Sequence, residues 1–232
     1  MTEKPVGIIE KALEEGRKTL SEHESKQLLK AYGIPVTEEK EITGLEEITK
    51  ATREIGYPLV LKGCSPGVTH KTEKGLIRIG IKDDEEARAA FISLKEAMGA
   101  SGGTILVQEM IQGQRELVMG LTRDPQFGPC AMFGLGGIFT EILKDVSFRV
   151  APLEKRDALE MMGEIKGHDV LGSVRGLPAG DKNVLAEMLI NLGRIGLENE
   201  EIKEIDINPV ILQGSQPVSV DALVVLGKGK SA

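Results

Sequence analysis

The chain has 232 residues, with 29 Lys and Arg against 36 Asp and Glu, and a formal net charge of −7 with its three histidines neutral. Apolar residues at 41% and charged residues at 28% are those of an ordinary globular protein, able to bury a core in one large domain or two lobes. The acidic balance without a basic run, and aromatics at 3% without tryptophan, exclude a typical nucleic-acid partner. Cys64 and Cys130 form no disulfide framework and stand in no metal spacing with a histidine, which fits a reducing compartment. Residues 1–18 are charged throughout and lack the apolar core of a signal peptide. No stretch approaches the ~20 apolar residues of a membrane span, so a cytoplasmic protein with no membrane partner is expected.

Ser21 and Glu24 form a capping box that opens a helix with Leu28, Leu29 and Tyr32 on its apolar face, ended by Gly33 and Pro35. A short strand over 36–42 follows. Leu45, Ile48, Ala51, Thr52 and Ile55 recur at helical spacing up to Gly56. Residues 58–62 read as a buried strand that ends on the charge of Lys62. A polar, glycine-bearing loop spans 63–75, and residues 76–81 return as a strand. Asp83 and Asp84 start a helix carrying Ala87, Ala90, Phe91, Leu94 and Met98, broken by Gly99–Gly103. Strands are expected over 105–111, 115–123, 129–133 and 146–150, then helices near 154–166 and 181–198. Three short strands over 202–207, 210–212 and 218–226 end the chain. Strand pairs interrupted by helices, without a repeat, indicate α+β lobes rather than a doubly wound parallel sheet, with a lobe change around 99–112.

Neither familiar nucleotide motif is present. The 63–75 loop lacks the Gly that must precede Lys-Thr in a P-loop, and Gly134-Leu135-Gly136-Gly137 meets Phe139 where a dinucleotide fingerprint needs Gly. Both loops still suit anions, because turns expose backbone N–H groups and Lys62, Lys71 and Lys74 stand nearby. Lys62, at the end of an apolar strand, either aims its ammonium beyond the sheet edge or snorkels to the surface. Glu109 interrupts an apolar strand and Glu116 opens the next. A hairpin would bring the two to one mouth, where they could accept from ribose hydroxyls, an amino group or a lysine; otherwise each lies on a solvated strand face. Asp206 and Asn208 share a strand face, with Asp221 on a strand able to pair beside them, and three hard oxygen donors suit Mg²⁺. The alternative at Asn208-Pro209 is a plain turn. His70, flanked by Thr69 and Lys71, is either a nucleophile toward phosphorus or a solvated loop histidine.

Over nearly its whole length the chain resembles the β subunits of ADP-forming acetyl-CoA synthetases, of the nucleoside-diphosphate-forming acyl-CoA synthetase superfamily. The resemblance runs through Leu29-Lys30-Ala31-Tyr32-Gly33-Ile34-Pro35-Val36, the segment 56–62, the His70 loop and the segment 123–129. It continues over Gly134-Leu135-Gly136-Gly137-Ile138-Phe139-Thr140-Glu141, Asp206-Ile207-Asn208-Pro209 and Val220-Asp221-Ala222. It implies an α+β ATP-grasp fold, two lobes with the nucleotide held between them. The expected division is an N-terminal helical extension over 1–22, an N-lobe over 23–110 with a mobile histidine loop over 63–75, and a C-lobe over 111–232 with the metal site.

The resemblance also implies roles. Lys62 binds the nucleotide phosphates, with Gly63 at the loop hinge. Glu109, Met110 and Ile111 line the adenine hinge, and Glu116 holds ribose. Asn208 and Asp221 bind Mg²⁺. His70 carries a phosphoryl group from an α-subunit phosphohistidine to ADP, and Asp206 is the candidate to orient its imidazole. ATP and ADP are the substrate nucleotides, and the acyl and CoA sites belong to a separate α subunit in an α2β2 assembly. The rival expectations are a succinyl-CoA synthetase-like β chain and a non-catalytic nucleotide-sensing module of a lysine acetyltransferase.

Overall fold

The computed structural model describes residues 5–64, 75–99, 103–137 and 145–227. The chain forms two compact units, Thr37–Ile111 and Met1–Val36 together with Gln112–Ala232. It opens with α1 (Pro5–Glu14) and α2 (Glu22–Ala31), the second capped as its sequence predicts: Ser21 accepts from the Glu24 N–H, and the Glu24 carboxylate accepts from the Ser21 N–H.

The smaller unit is a four-stranded antiparallel sheet in the order β1-β4-β2-β3, built from β1 (Glu39–Ile42), β2 (Leu59–Cys64), β3 (Ile77–Ile81) and β4 (Thr104–Glu109). Its helices are α3 (Ile48–Ile55), which follows a 3₁₀ turn over Leu45–Glu47, and α4 (Asp84–Met98). Gly56 ends α3 at φ 89°, a value that disfavours any residue with a Cβ. Asp83 caps α4 by accepting from the Glu86 N–H. Leu59, Leu61, Ile105 and Val107 alternate inward to the core made with Ala51, Ala87, Phe91 and Leu94 of these helices.

The larger unit holds a six-stranded antiparallel sheet in which β10 (Ala222–Leu226), β8 (Ile202–Gln213), β5 (Glu116–Asp124), β6 (Gly128–Leu135) and β7 (Val146–Val150) lie in that order, with β9 (Gln216–Ser219) paired to β8. Two further helices, α5 (Lys155–Glu164) and α6 (Lys182–Glu198), complete the unit. Leu117, Met119 and Leu121 of β5, with Ile205 and Ile207 of β8, point into the core shared with Leu28, Leu29, Leu185, Leu189 and Leu192 of the helices.

Two sequence expectations read differently in the fold. The first concerns the amino end: the stretch up to Val36 groups with the carboxyl-terminal half rather than with residues 37–111. The Leu226 N–H donates to Lys18 O at 2.7 Å and the Leu20 N–H to Val224 O at 3.0 Å, so residues 18–20 pair along the β10 edge. Beyond α2, the Ser219 N–H donates to Pro35 O at 2.9 Å. These bonds join residues 184 to 208 positions apart, which a local reading cannot see.

The second concerns the end of the chain, which is split differently from the three short strands expected. Residues 202–213 are one strand, and 218–226 are two. Against β5, Leu117 pairs with Val210 and Met119 with Ile207, so Asn208 and Pro209 both oppose Val118. This is a bulge, a place where a strand tolerates proline. Inward residues on β8 therefore step from Ile207 to Val210, a spacing of three that looks like a break in the period of two.

Candidate functional site

Each unit presents, on the sheet face away from its helices, part of what the sequence predicts. In the smaller unit, β2 runs two residues past Lys62 to Cys64, so the lysine lies within the strand rather than at its end. It pairs in register with Leu106 on one side and Ile77 on the other, shares its face with Val60, and is only 4% exposed. A snorkelled surface lysine is excluded. Gly63 packs against the end of α4, where a Cβ would come within 2.9 Å of the Met98 sulfur. Glu109 closes β4 and is tied back to β1: its carboxylate accepts from the Glu38 N–H at 2.8 Å, and its own N–H donates to Glu38 O at 3.0 Å. The Met110 N–H donates to Pro58 O at 3.0 Å, and Ile111 is buried at the last position of this unit. His70 lies outside the described residues, as do Lys71 and Lys74.

In the larger unit, Glu116 opens β5 and is exposed. The Gly136 N–H donates to Glu116 O at 2.8 Å. A Cβ on Gly136 would meet the Glu116 carbonyl carbon at 2.8 Å, and one on Gly137, at φ 64°, would meet the Glu116 carboxylate at 2.9 Å. The glycine run is thus needed for a close approach to Glu116, which its failure as a dinucleotide motif did not reveal.

Glu204, Asp206 and Asn208 follow at intervals of two on β8, on the face opposite Ile205 and Ile207. Ala222 pairs with Ile207 and Ser219 with Val210, and the Val220 N–H donates to Pro209 O at 3.0 Å. The two-residue links Asn208-Pro209 and Val220-Asp221 therefore face each other, which brings Asp221 opposite Asn208. Asp221 lies in the link between β9 and β10 rather than within a strand. Burial, and after it the carboxylates of Glu204 and Asp221, push the Asp206 carboxyl above the ordinary aspartate range.

The donor chemistry fits a hard divalent cation. An amide oxygen and a carboxylate are opposed across a ladder, beside a carboxyl whose pKa is raised first by burial and then by the neighbouring carboxylates. Among the described residues no three His, Cys, Asp or Glu side chains gather into a metal-binding group. Two protein donors suffice for Mg²⁺ when waters and substrate phosphates complete its shell.

Sequence reasoning missed three buried charged residues in this unit. Arg115, 5% exposed, donates to the carbonyls of Val170, Gly172, Pro178 and Gly214 at 2.7–3.2 Å. It borders a cavity of about 250 Å³, lined also by Gln112, Gln114, Leu177 and Leu212, which contains none of the predicted site residues. Lys26 and Glu22 form an ion pair at 2.9 Å with side chains 1% and 2% exposed. The signal for it was present: Glu22, Ser25, Lys26 and Leu29 share one helical stripe, so the polar residues lie on the buried face.

The chain belongs to the ATP-grasp family, whose domain model matches residues 11–226. Over 224 residues it is 48% identical to the β subunit of the ADP-forming acetate–CoA ligase I of Pyrococcus furiosus, covering 94% of this chain and 96% of that one. The dinucleotide-forming acetyl-coenzyme A synthetase 1 of Ca. Korarchaeum cryptofilum, solved with coenzyme A, Ca-AMPCP and HgCl⁺, superposes with a TM-score of 0.92 at 45% identity, over 95% of this chain and 99% of that one. The same protein solved with coenzyme A and Mg-AMPPCP, its phosphohistidine segment pointing towards the nucleotide binding site, gives a TM-score of 0.87 at 45% identity, over 96% and 100% of the two chains. Within the ATP-grasp family, the chain is a member of the group formed by the β subunits of ADP-forming acetate–CoA ligases. Among the described residues no helix is long and apolar enough to cross a membrane.

Proposed function

We propose that this chain is the nucleotide-binding β subunit of an ADP-forming acyl-CoA ligase, which interconverts acyl-CoA, ADP and phosphate with the free acid, CoA and ATP. The opposition of Asn208 and Asp221 across the β8 bulge carries the reading, in a chain 48% identical to such a subunit. Lys62 holds the nucleotide phosphates, with Gly63 beside it in β2, where its lack of a side chain makes room for Met98. Glu109, Met110 and Ile111 line the adenine side, where the Met110 N–H is already engaged by Pro58 and other backbone groups read the base. Glu116 accepts from the ribose hydroxyls.

Phosphoryl transfer rests on positioning and electrostatics. A ring nitrogen of His70 takes the PO₃ group from an α-subunit phosphohistidine, one N–P bond breaking as the other forms. A β-phosphate oxygen of ADP then attacks phosphorus in line, the His70 N–P bond breaks, and ATP forms with the imidazole regenerated. Asp206 accepts from the other ring nitrogen and sets its orientation. Mg²⁺, held by Asn208 and Asp221, supplies neutralisation of phosphate charge when bound. The acyl and CoA sites lie on the α subunit, in an α2β2 complex. Cys64 and Cys130, neither of them in a disulfide, fit the reducing cytoplasm.

The chain mixed with its α partner, acetyl-CoA, ADP and phosphate is expected to form ATP and to retain acid-labile phosphate on this subunit. His70→Ala is expected to abolish both while ADP binding persists. Unchanged turnover in that variant overturns the carrier role.

A further inference from the structure

The Glu22–Lys26 pair is the most deeply buried ion pair among those described, and a buried pair is a poor device for stability, since an apolar pair of similar volume is often as stable or better. What it touches suggests its purpose. The Lys26 ammonium donates to Val220 O at 3.3 Å, and the Val220 N–H donates to Pro209 O at 3.0 Å. The Val220 residue is thus held at both its N–H and its C=O. One neighbour in this chain of contacts is Asp221, which follows Val220. The other is Asn208, which precedes Pro209. Immediately before Lys26, on the same stripe, Ser25, fully buried, accepts from the Val224 N–H at 3.2 Å through its Oγ. Helix α2 therefore grips the β9–β10 link and the middle of β10 through side chains, where hydrophobic contact alone would leave the link free to shift.

We infer that Lys26, fixed by Glu22, is a positioning residue for the cation site: its ammonium locks the Val220 peptide so that Asp221 stays opposed to Asn208. This rests on the assignment of Asn208 and Asp221 as the cation ligands. An ammonium in that place does what a methyl group cannot: it supplies a directed bond to a carbonyl. Glu22 holds the ammonium on that carbonyl and balances it when the site is empty.

The test is the affinity of the 232-residue chain for Mn²⁺ in the presence of ADP, read by electron paramagnetic resonance, beside its melting temperature. Glu22→Leu with Lys26→Met removes both charges at similar volume. This double variant is expected to keep its fold and lose about tenfold to a hundredfold in Mn²⁺ affinity, the range for residues that support ligands from behind. A merely structural pair would shift the melting temperature and leave Mn²⁺ binding untouched, and that result overturns the inference. Glu22→Gln with Lys26→Gln, a neutral hydrogen-bonding pair too short to reach Val220, is read in the same way should the apolar pair fail to fold. Asp221→Ala separates the two levels. If it leaves Mn²⁺ affinity unchanged, the cation site itself is misassigned and the inference falls with it. If it weakens binding while the pair variants do not, only the role of Lys26 is overturned.

Discussion

In the smaller unit, Leu59, Leu61, Ile105 and Val107 turn one face of the sheet to α3 and α4, while Val60 and Lys62 occupy the other. In the larger unit, Leu117, Met119, Leu121, Ile205 and Ile207 serve the helix side, while Gly120, Asp206 and Asn208 occupy the other. Both sheets are antiparallel, and both keep their fold on the first face. They differ in the sign of the charge on the second: a buried ammonium in one, carboxylates and an amide in the other. A phosphate chain needs the former and the cation that accompanies it needs the latter. The contrast separates function from stability by sheet face, and substitutions can break it.

The largest effect is expected at His70. His70→Ala lowers ATP formation by at least about 10⁴-fold, as loss of a covalent carrier does, with ADP affinity by calorimetry nearly unchanged. Next comes Arg115→Met, on the holding side of the contrast. Four carbonyls lose their donor, at a cost of about 3–5 kcal/mol, seen as a fall in melting temperature on the order of 10 °C. Lys62→Met should do the opposite. ADP binding weakens by about 2–3 kcal/mol, the value of a charge-assisted bond, while the melting temperature falls less than in Arg115→Met. If Lys62→Met unfolds the protein and binds ADP normally when folded, the contrast between faces is wrong.

Gly136→Ala tests the close approach to Glu116. The Cβ meets backbone at 2.8 Å, so a loss of about 1–3 kcal/mol in thermal unfolding is expected. The smallest effect belongs to the ion pair of Arg17 with Glu24 at the start of α2. Burial raises the Glu24 carboxyl, but the Arg17 guanidinium and the Ser21 N–H outweigh it and hold the group below its ordinary range. A depressed carboxylate stabilises the fold at pH values above its unfolded pKa, and that stability is lost as pH falls through the folded one. Arg17→Met should therefore cost only about 0.5–1 kcal/mol at pH 7 and nothing once Glu24 is protonated in the fold, as measured by denaturant unfolding across pH.

Much of the secondary structure was readable from local chemistry. The Ser21 capping box, the Asp83 cap, the Gly56 stop and the clean alternation of Leu117, Met119 and Leu121 depend on neighbours within a few residues. The depth of Lys62 was not readable, because a lysine within an apolar run looks the same whether the strand ends there or continues to Cys64. The pairing of Asn208 with Asp221 was half readable. The oxygen donors stood out, but their opposition depends on a bulge that the spacing from Ile207 to Val210 disguised as a strand break.

The sequence by itself determined where helices start and stop, which strand positions face a core, and which family's residues are present, since these follow from periods, caps and motifs written along the chain. The tertiary structure alone decided that the residues up to Val36 group with the carboxyl-terminal unit, that Asn208 and Asp221 face each other, and that the Lys26 ammonium reaches Val220 beside them. The physical reason is range. A cap or a period is satisfied within one or two turns, whereas a strand edge, a bulge or a buried charge is satisfied by partners up to 208 residues away, and only the folded chain selects which.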